Sequence, residues 1–168
     1  MTFLHQGKLD GFCGLYATTH LATVLSGREY ESATEKLFYQ LLRAIEKHGR
    51  LTAAKIAGPD CGYTDLMIAE AFNALSSRQR AGLRAIAFRK RAFQISAYSR
   101  NAWRCFDANG GLVIQEAAGT HWLATSSLMR SGSYLCFDPS LDEPKLSRER
   151  IAWDQGIFLA PSQVIKKL

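Results

Sequence analysis

Residues 14–25, Gly14-Leu15-Tyr16-Ala17-Thr18-Thr19-His20-Leu21-Ala22-Thr23-Val24-Leu25, contain no proline and are mostly apolar. Such a run predicts a helix that other elements must cover on more than one side. It begins at or beside Cys13, and Ser26-Gly27 ends it. A second helix is predicted over about 32–47. There Leu37, Phe38, Leu41, Leu42 and Ile45 form one apolar face, and His48-Gly49 supplies a stop. Residues 57–62 have loop composition, and Thr64 can cap a third helix reaching about Leu75.

The second half changes character. Short apolar runs predict strands at 83–88, 112–115, 121–125, 134–137 and 157–159, with a helix over 96–106 and a turn at 129–133. Helices first and antiparallel strands later is an α+β pattern. The chain has 168 residues, enough for one core, so a single domain over 1–168 is expected. An apolar share of 47% against 21% charged excludes disorder as a description of the whole chain.

The four cysteines, Cys13, Cys61, Cys105 and Cys136, are widely spaced and form no CxxC pair, so no metal site and no cofactor are expected. Met1-Thr2-Phe3-Leu4-His5-Gln6 lacks a basic region followed by an apolar run, so no signal peptide is expected there. No stretch approaches the length of a membrane helix. A cytoplasmic location with free thiols follows, or secretion as an effector without a classical signal. The net charge of +6 admits an acidic or nucleic-acid partner. Arg84, Arg89, Lys90, Arg91 and Arg100, with Phe88, Phe93 and Tyr98 between them, are the stretch that would carry the latter, though a solvated charged face explains it equally.

One set of residues has the makings of thiol chemistry. That chemistry needs a thiolate, a base, a group that orients the base, and donors for an oxyanion. Cys13 stands where a helix N-terminus lowers a thiol pKa, and Gly14 lets a substrate approach the backbone. Gln6, seven residues upstream, offers an amide donor that does not titrate. His121 opens a strand and can take and return a proton near neutral pH, with Trp122 expected to point to the opposite face. Asp138, at the end of the 134–137 strand, can hold the imidazole tautomer or simply initiate a turn before Pro139. Taken singly, each residue has a plainer explanation: a buried structural Cys, a surface Gln, a packed His, a turn Asp. Cys61, in Asp60-Cys61-Gly62 before the third helix, is a rival nucleophile. It has no Gln at the matching distance upstream, where Ala54 and Lys55 stand. His5 is a rival base. His20 lies two turns along the Cys13 helix, and His48 sits at a helix end.

Gln6, Cys13-Gly14, Ala17, Gly119-Thr120-His121-Trp122 and Asp138-Pro139, in that order, resemble the papain-like cysteine peptidase superfamily. The nearest resemblance is to the bacteriocin-processing, double-glycine leader peptidases and their peptidase-like relatives. It implies a papain-like fold, with an N-terminal helical part carrying the Cys helix packed on a C-terminal antiparallel sheet carrying His and Asp. It also implies Cys13 as nucleophile, His121 as base, Asp138 as the orienting acid and Gln6 as oxyanion donor, acting on a protein or peptide substrate. The segment from Cys to His is longer than in those peptidases, and no transporter segment follows. Asp10-Gly11-Phe12-Cys13 and His121-Trp122 also resemble ovarian-tumour-type deubiquitinases, which leaves Asp10 as a further candidate and isopeptide bonds as a further target. An acyl-transferase effector with the same triad and a non-catalytic peptide-binding domain of the same fold are the remaining alternatives.

Overall fold

The computed structural model describes residues 12–47, 65–88, 105–116, 121–128, 134–137 and 145–165. Among the described residues three helices come first: α1 (Cys13–Ser26), α2 (Tyr30–Lys47) and α3 (Asp65–Ala74). Six strands follow: β1 (Leu83–Ala87), β2 (Gly111–Glu116), β3 (Trp122–Leu128), β4 (Tyr134–Phe137), β5 (Lys145–Leu146) and β6 (Ile151–Pro161). A short helix, α4 (Ser162–Ile165), comes last. The strands form one sheet in the order β1-β6-β2-β3-β4-β5, with every pairing antiparallel. The fold is thus α+β.

α1 is the central helix. Ten of its fourteen residues are buried, so it is covered on most of its circumference. Its hydroxyls do not conflict with that burial. Thr18 donates to the Gly14 carbonyl (2.7 Å), Thr19 to Tyr16 (3.0 Å) and Thr23 to Thr19 (2.9 Å). Each buried hydroxyl is satisfied within its own helix, which removes the cost of an unpaired donor, about 1–3 kcal/mol. The helix stops at Gly27, whose φ of 62° suits a residue without a side chain, and the Gly27 amide donates to the Val24 carbonyl (3.2 Å). α2 starts two residues earlier than the apolar spacing suggests and covers α1 with Leu37, Phe38, Leu41 and Ile45.

Alternation along the strands sorts the core into two layers. Leu83, Ala85, Ala87, Val113, Trp122, Ala124, Ile157 and Leu159 face the helices. Leu112, Ile114, Leu123, Tyr134, Cys136, Phe158 and Ala160 form the other layer, which meets the helical turn at 105–107 through Cys105 and Phe106. Trp122 therefore packs on the helix side. This corrects the expectation that it would point away from the Cys13 helix, and alternation at 121–122 therefore does not by itself turn His121 towards Cys13. The indole lies against Gly14 of α1, at ordinary van der Waals distance from where a methyl group would stand.

Two strand assignments also change. The 157–159 segment is the middle of an eleven-residue strand lying second from the sheet edge, between β1 and β2. Asp154-Gln155-Gly156 interrupts the apolar pattern, and the strand passes through an irregularity in its register with β2 there. β5 is only two residues long and carries no readable apolar signal. The predicted loop at 57–62, the 96–104 part of the predicted helix and the turn at 129–133 lie outside the described residues.

β1 is an edge strand, and side chains seal its free side. The Asn73 amide donates to the Ala85 carbonyl (2.7 Å), and its oxygen accepts from the Ala85 amide (3.0 Å). Arg80 donates to the carbonyls of Leu75 and Leu83, tying the end of α3 to the start of the strand. A capped edge cannot pair with another chain. Asn73→Ala should cost about 1–3 kcal/mol, the range for stranding partly buried backbone groups, and should raise the tendency to aggregate. Urea unfolding and light scattering against the parent protein measure both effects.

Candidate functional site

The site is built where α1, α3 and β3 meet. Cys13 is the first residue of α1, and its first turn carries no acidic residue. Phe12 precedes the helix, and its carbonyl accepts from the Leu15 and Tyr16 amides (2.9 Å each). The Phe12 ring meets Phe38 of α2 edge-on at 5.9 Å, and Tyr16 stacks on the same Phe38 at 4.6 Å. On the other side of Cys13, Gly14 is clamped. A methyl group there would lie 2.8 Å from Ile68 Cδ1 of α3 and 3.5 Å from the Trp122 ring of β3. Both neighbours of Cys13 are thus held by packing, so the position of the thiol-bearing residue is fixed by three other elements.

His121 immediately precedes β3 and is half-buried. The Trp122 contact with Gly14 joins the residue after His121 to the residue after Cys13. Ala124 of β3 pairs with Phe137 of β4, so the start of β3 and the end of β4 share one end of the sheet. That end lies under the first turn of α1. Asp138, Gln6, Asp10, Cys61, His5 and His48 lie outside the described residues. His20 is buried within α1, its ring edge-on to Tyr16 at 6.5 Å.

Two polar residues at this end carried no sequence signal of their own. Asp65, the first residue of α3, is fully buried. Its carboxylate accepts from the Leu66 amide (2.9 Å) and from the Gly156 amide of β6 (3.5 Å), pinning the start of α3 to the sheet. An acid at a helix N-terminus looks ordinary in a sequence, and only the packing of α3 on β6 reveals its burial. Gln115 lies directly opposite Trp122 in the β2–β3 ladder and is only 8% exposed. It ends the apolar run Leu112-Val113-Ile114, where a polar residue reads as a strand terminus.

Cys13, Cys105 and Cys136 are buried and outside any disulfide. Cys105 shows what burial alone does to a thiol. Its Sγ lies 3.4 Å from the Gly111 carbonyl and 3.5 Å from the Leu159 carbonyl, and desolvation pushes its pKa up from 9.0 to about 12. Such a thiol is not a nucleophile near neutral pH. No cluster of His, Cys, Asp or Glu suited to a metal ion occurs among the described residues, and none of the described helices is long and apolar enough to cross a membrane. A polar groove of about 780 Å³ lies between α2 and the turn after α3, lined by Arg28, Glu29, Lys36 and Arg78 among others. The Arg28 guanidinium is engaged there by the carbonyls of Arg78 (2.6 Å) and Gln79 (3.1 Å). Of the basic stretch considered above, Arg84 is described and exposed on β1, while Phe88 is buried against Phe158.

No family model, curated protein or solved structure matches this chain.

The Cys105 environment has a consequence for stability. Its folded pKa is raised, so between about pH 9 and 12 the folded state holds a proton that the unfolded state releases. The thiol's contribution is complete below pH 9 and is lost as pH rises through that window, at up to about 1.4 kcal/mol per pH unit. Urea unfolding at pH 8, 9 and 10 should show a smaller alkaline loss for Cys105→Ala than for the parent, whatever the variant's absolute stability.

Proposed function

We propose that this protein is a thiol hydrolase of the papain-like type, a cysteine peptidase acting on a peptide or isopeptide bond. The observation that supports this reading most directly is the contact of Trp122 with Gly14. It sets the residue beside His121 against the residue beside Cys13, at the N-terminus of a helix with no acid in its first turn. A helix N-terminus favours a thiolate and presents N–H groups to a developing oxyanion.

In this mechanism the Cys13 thiolate attacks the substrate carbonyl carbon. The proton it gave to His121 passes to the leaving amine as the carbon–nitrogen bond breaks. A thioester remains on Sγ. Water then attacks it, with His121 as the base, and the acid product leaves as the thiol is restored. Asp138 orients the imidazole, and Gln6 donates to the oxyanion, as the resemblance implies. Release to an amine instead of water would make the same centre an acyl-transferase.

One observation favours a second reading. Cys13 is only 4% exposed, as suits a peptide-binding domain that retains the fold without cleaving. Cysteine-reactive peptide and ubiquitin-type probes separate the two. A hydrolase forms a covalent adduct at Cys13, which Cys13→Ala abolishes, and His121→Ala slows adduct formation and turnover on the order of 10²–10⁴-fold, the usual worth of a general base. Adduct formation at Cys13 that is indifferent to His121→Ala, or that appears only at strongly alkaline pH, rejects the hydrolase reading.

A further inference from the structure

The relation between α1 and β2 brings one more polar side chain to the same place. Gly111 sits at the start of β2, and a methyl group there would touch Leu21 of α1 at 2.6 Å. At the other end of the helix, Gly14 meets Trp122, the cross-strand partner of Gln115. From Gly111 to Gln115 the strand advances about 14 Å. From Leu21 back to Cys13 the helix advances about 12 Å. The two run antiparallel and in step, so Gln115 lies beneath the first turn of α1. Its face is settled by alternation: Val113, two residues earlier, packs with the helices, as does Trp122 opposite.

We propose that Gln115 is a positioning residue for Cys13: its carboxamide, held between Trp122 and the first turn of α1, supports the thiolate from the sheet side. The proposal rests on the hydrolase reading for its purpose, but the thiol property it describes is measurable without a substrate. A carboxamide is suited to the task. It donates two N–H groups and carries no charge that would compete with His121 for the thiol proton. The substitution that best exposes the role is Gln115→Glu, which keeps the shape and sets a carboxylate beneath a developing anion. A like charge at that range disfavours ionisation. Among the described residues, the titratable groups on the elements packed around this turn include Asp65 and Glu70 on α3, His121 before β3, and Tyr16 and His20 on α1 itself. All are common to the parent and the variants.

The test is the iodoacetamide alkylation rate of Cys13 against pH, followed by peptide mapping so that Cys13 is read apart from the other cysteines. Gln115→Glu should slow alkylation at pH 7 about tenfold or more and move the profile to higher pH. Gln115→Met, which keeps most of the volume, should shift it in the same direction by less and retain the parent's thermal midpoint within a few degrees. If Gln115→Glu fails to fold, the Gln115→Met profile decides. A parent-like profile in the folded variants overturns the proposal. So does a uniform drop in rate at every pH, which marks a packing change without support of the thiolate. Failure of the hydrolase reading looks different: no adduct with any substrate-type probe, while the Gln115 dependence of alkylation persists.

Discussion

Everything at the candidate site depends on how closely α3 and β3 approach Gly14 of α1. A methyl group at that position would press on Ile68 of α3, and it would touch the Trp122 ring. That absence of a side chain lets Ile68 of α3 close on the first turn of α1 where α1 lies on β3. Packed interiors have few voids, so a contact of this kind fixes relative position to well under the width of an atom. Phe12 completes the grip through its edge-on contact with Phe38. The first turn of α1 is therefore held from α2, α3 and the sheet together, as a reactive thiol would need in order to meet its base at a defined distance.

Two of the buried thiols stand in different surroundings. Cys105 lies against the Gly111 and Leu159 carbonyls, and burial drives its pKa up to about 12. Cys13 is buried too, and it opens a helix whose first turn has no acid. The other buried hydroxyls of α1 turn back on their own helix, so they leave its terminus undisturbed.

Much of the architecture was legible because helices and strands have distinct apolar periods. α1, α3, β1, β2 and β4 fall within a residue or two of the segments read from the sequence, since each is a contiguous run bounded by glycine, polar turns or a change of period. β6 was underread because Asp154-Gln155-Gly156 breaks its apolar run. Its length is imposed by the two strands that flank it, β1 and β2. The direction of Trp122 was misread for a related reason. Alternation tells which residues share a face, but not which face meets the helices.

The sequence by itself determined the α+β order, the helix that Cys13 opens and the strand that His121 precedes, because local periodicity and helix stops need no distant partner. Only the tertiary structure decided what stands beside the thiol. Gly14 is one glycine among thirteen in the chain, and its meaning comes from Ile68, more than fifty residues on, and Trp122, more than a hundred. Asp65 and Gln115 are ordinary polar residues until the packing of α3 on β6 and of α1 on β2 buries them. Close approach between segments far apart in the chain leaves no local mark, since the physical cause is the shape of the partner surface and not the preference of the residue itself.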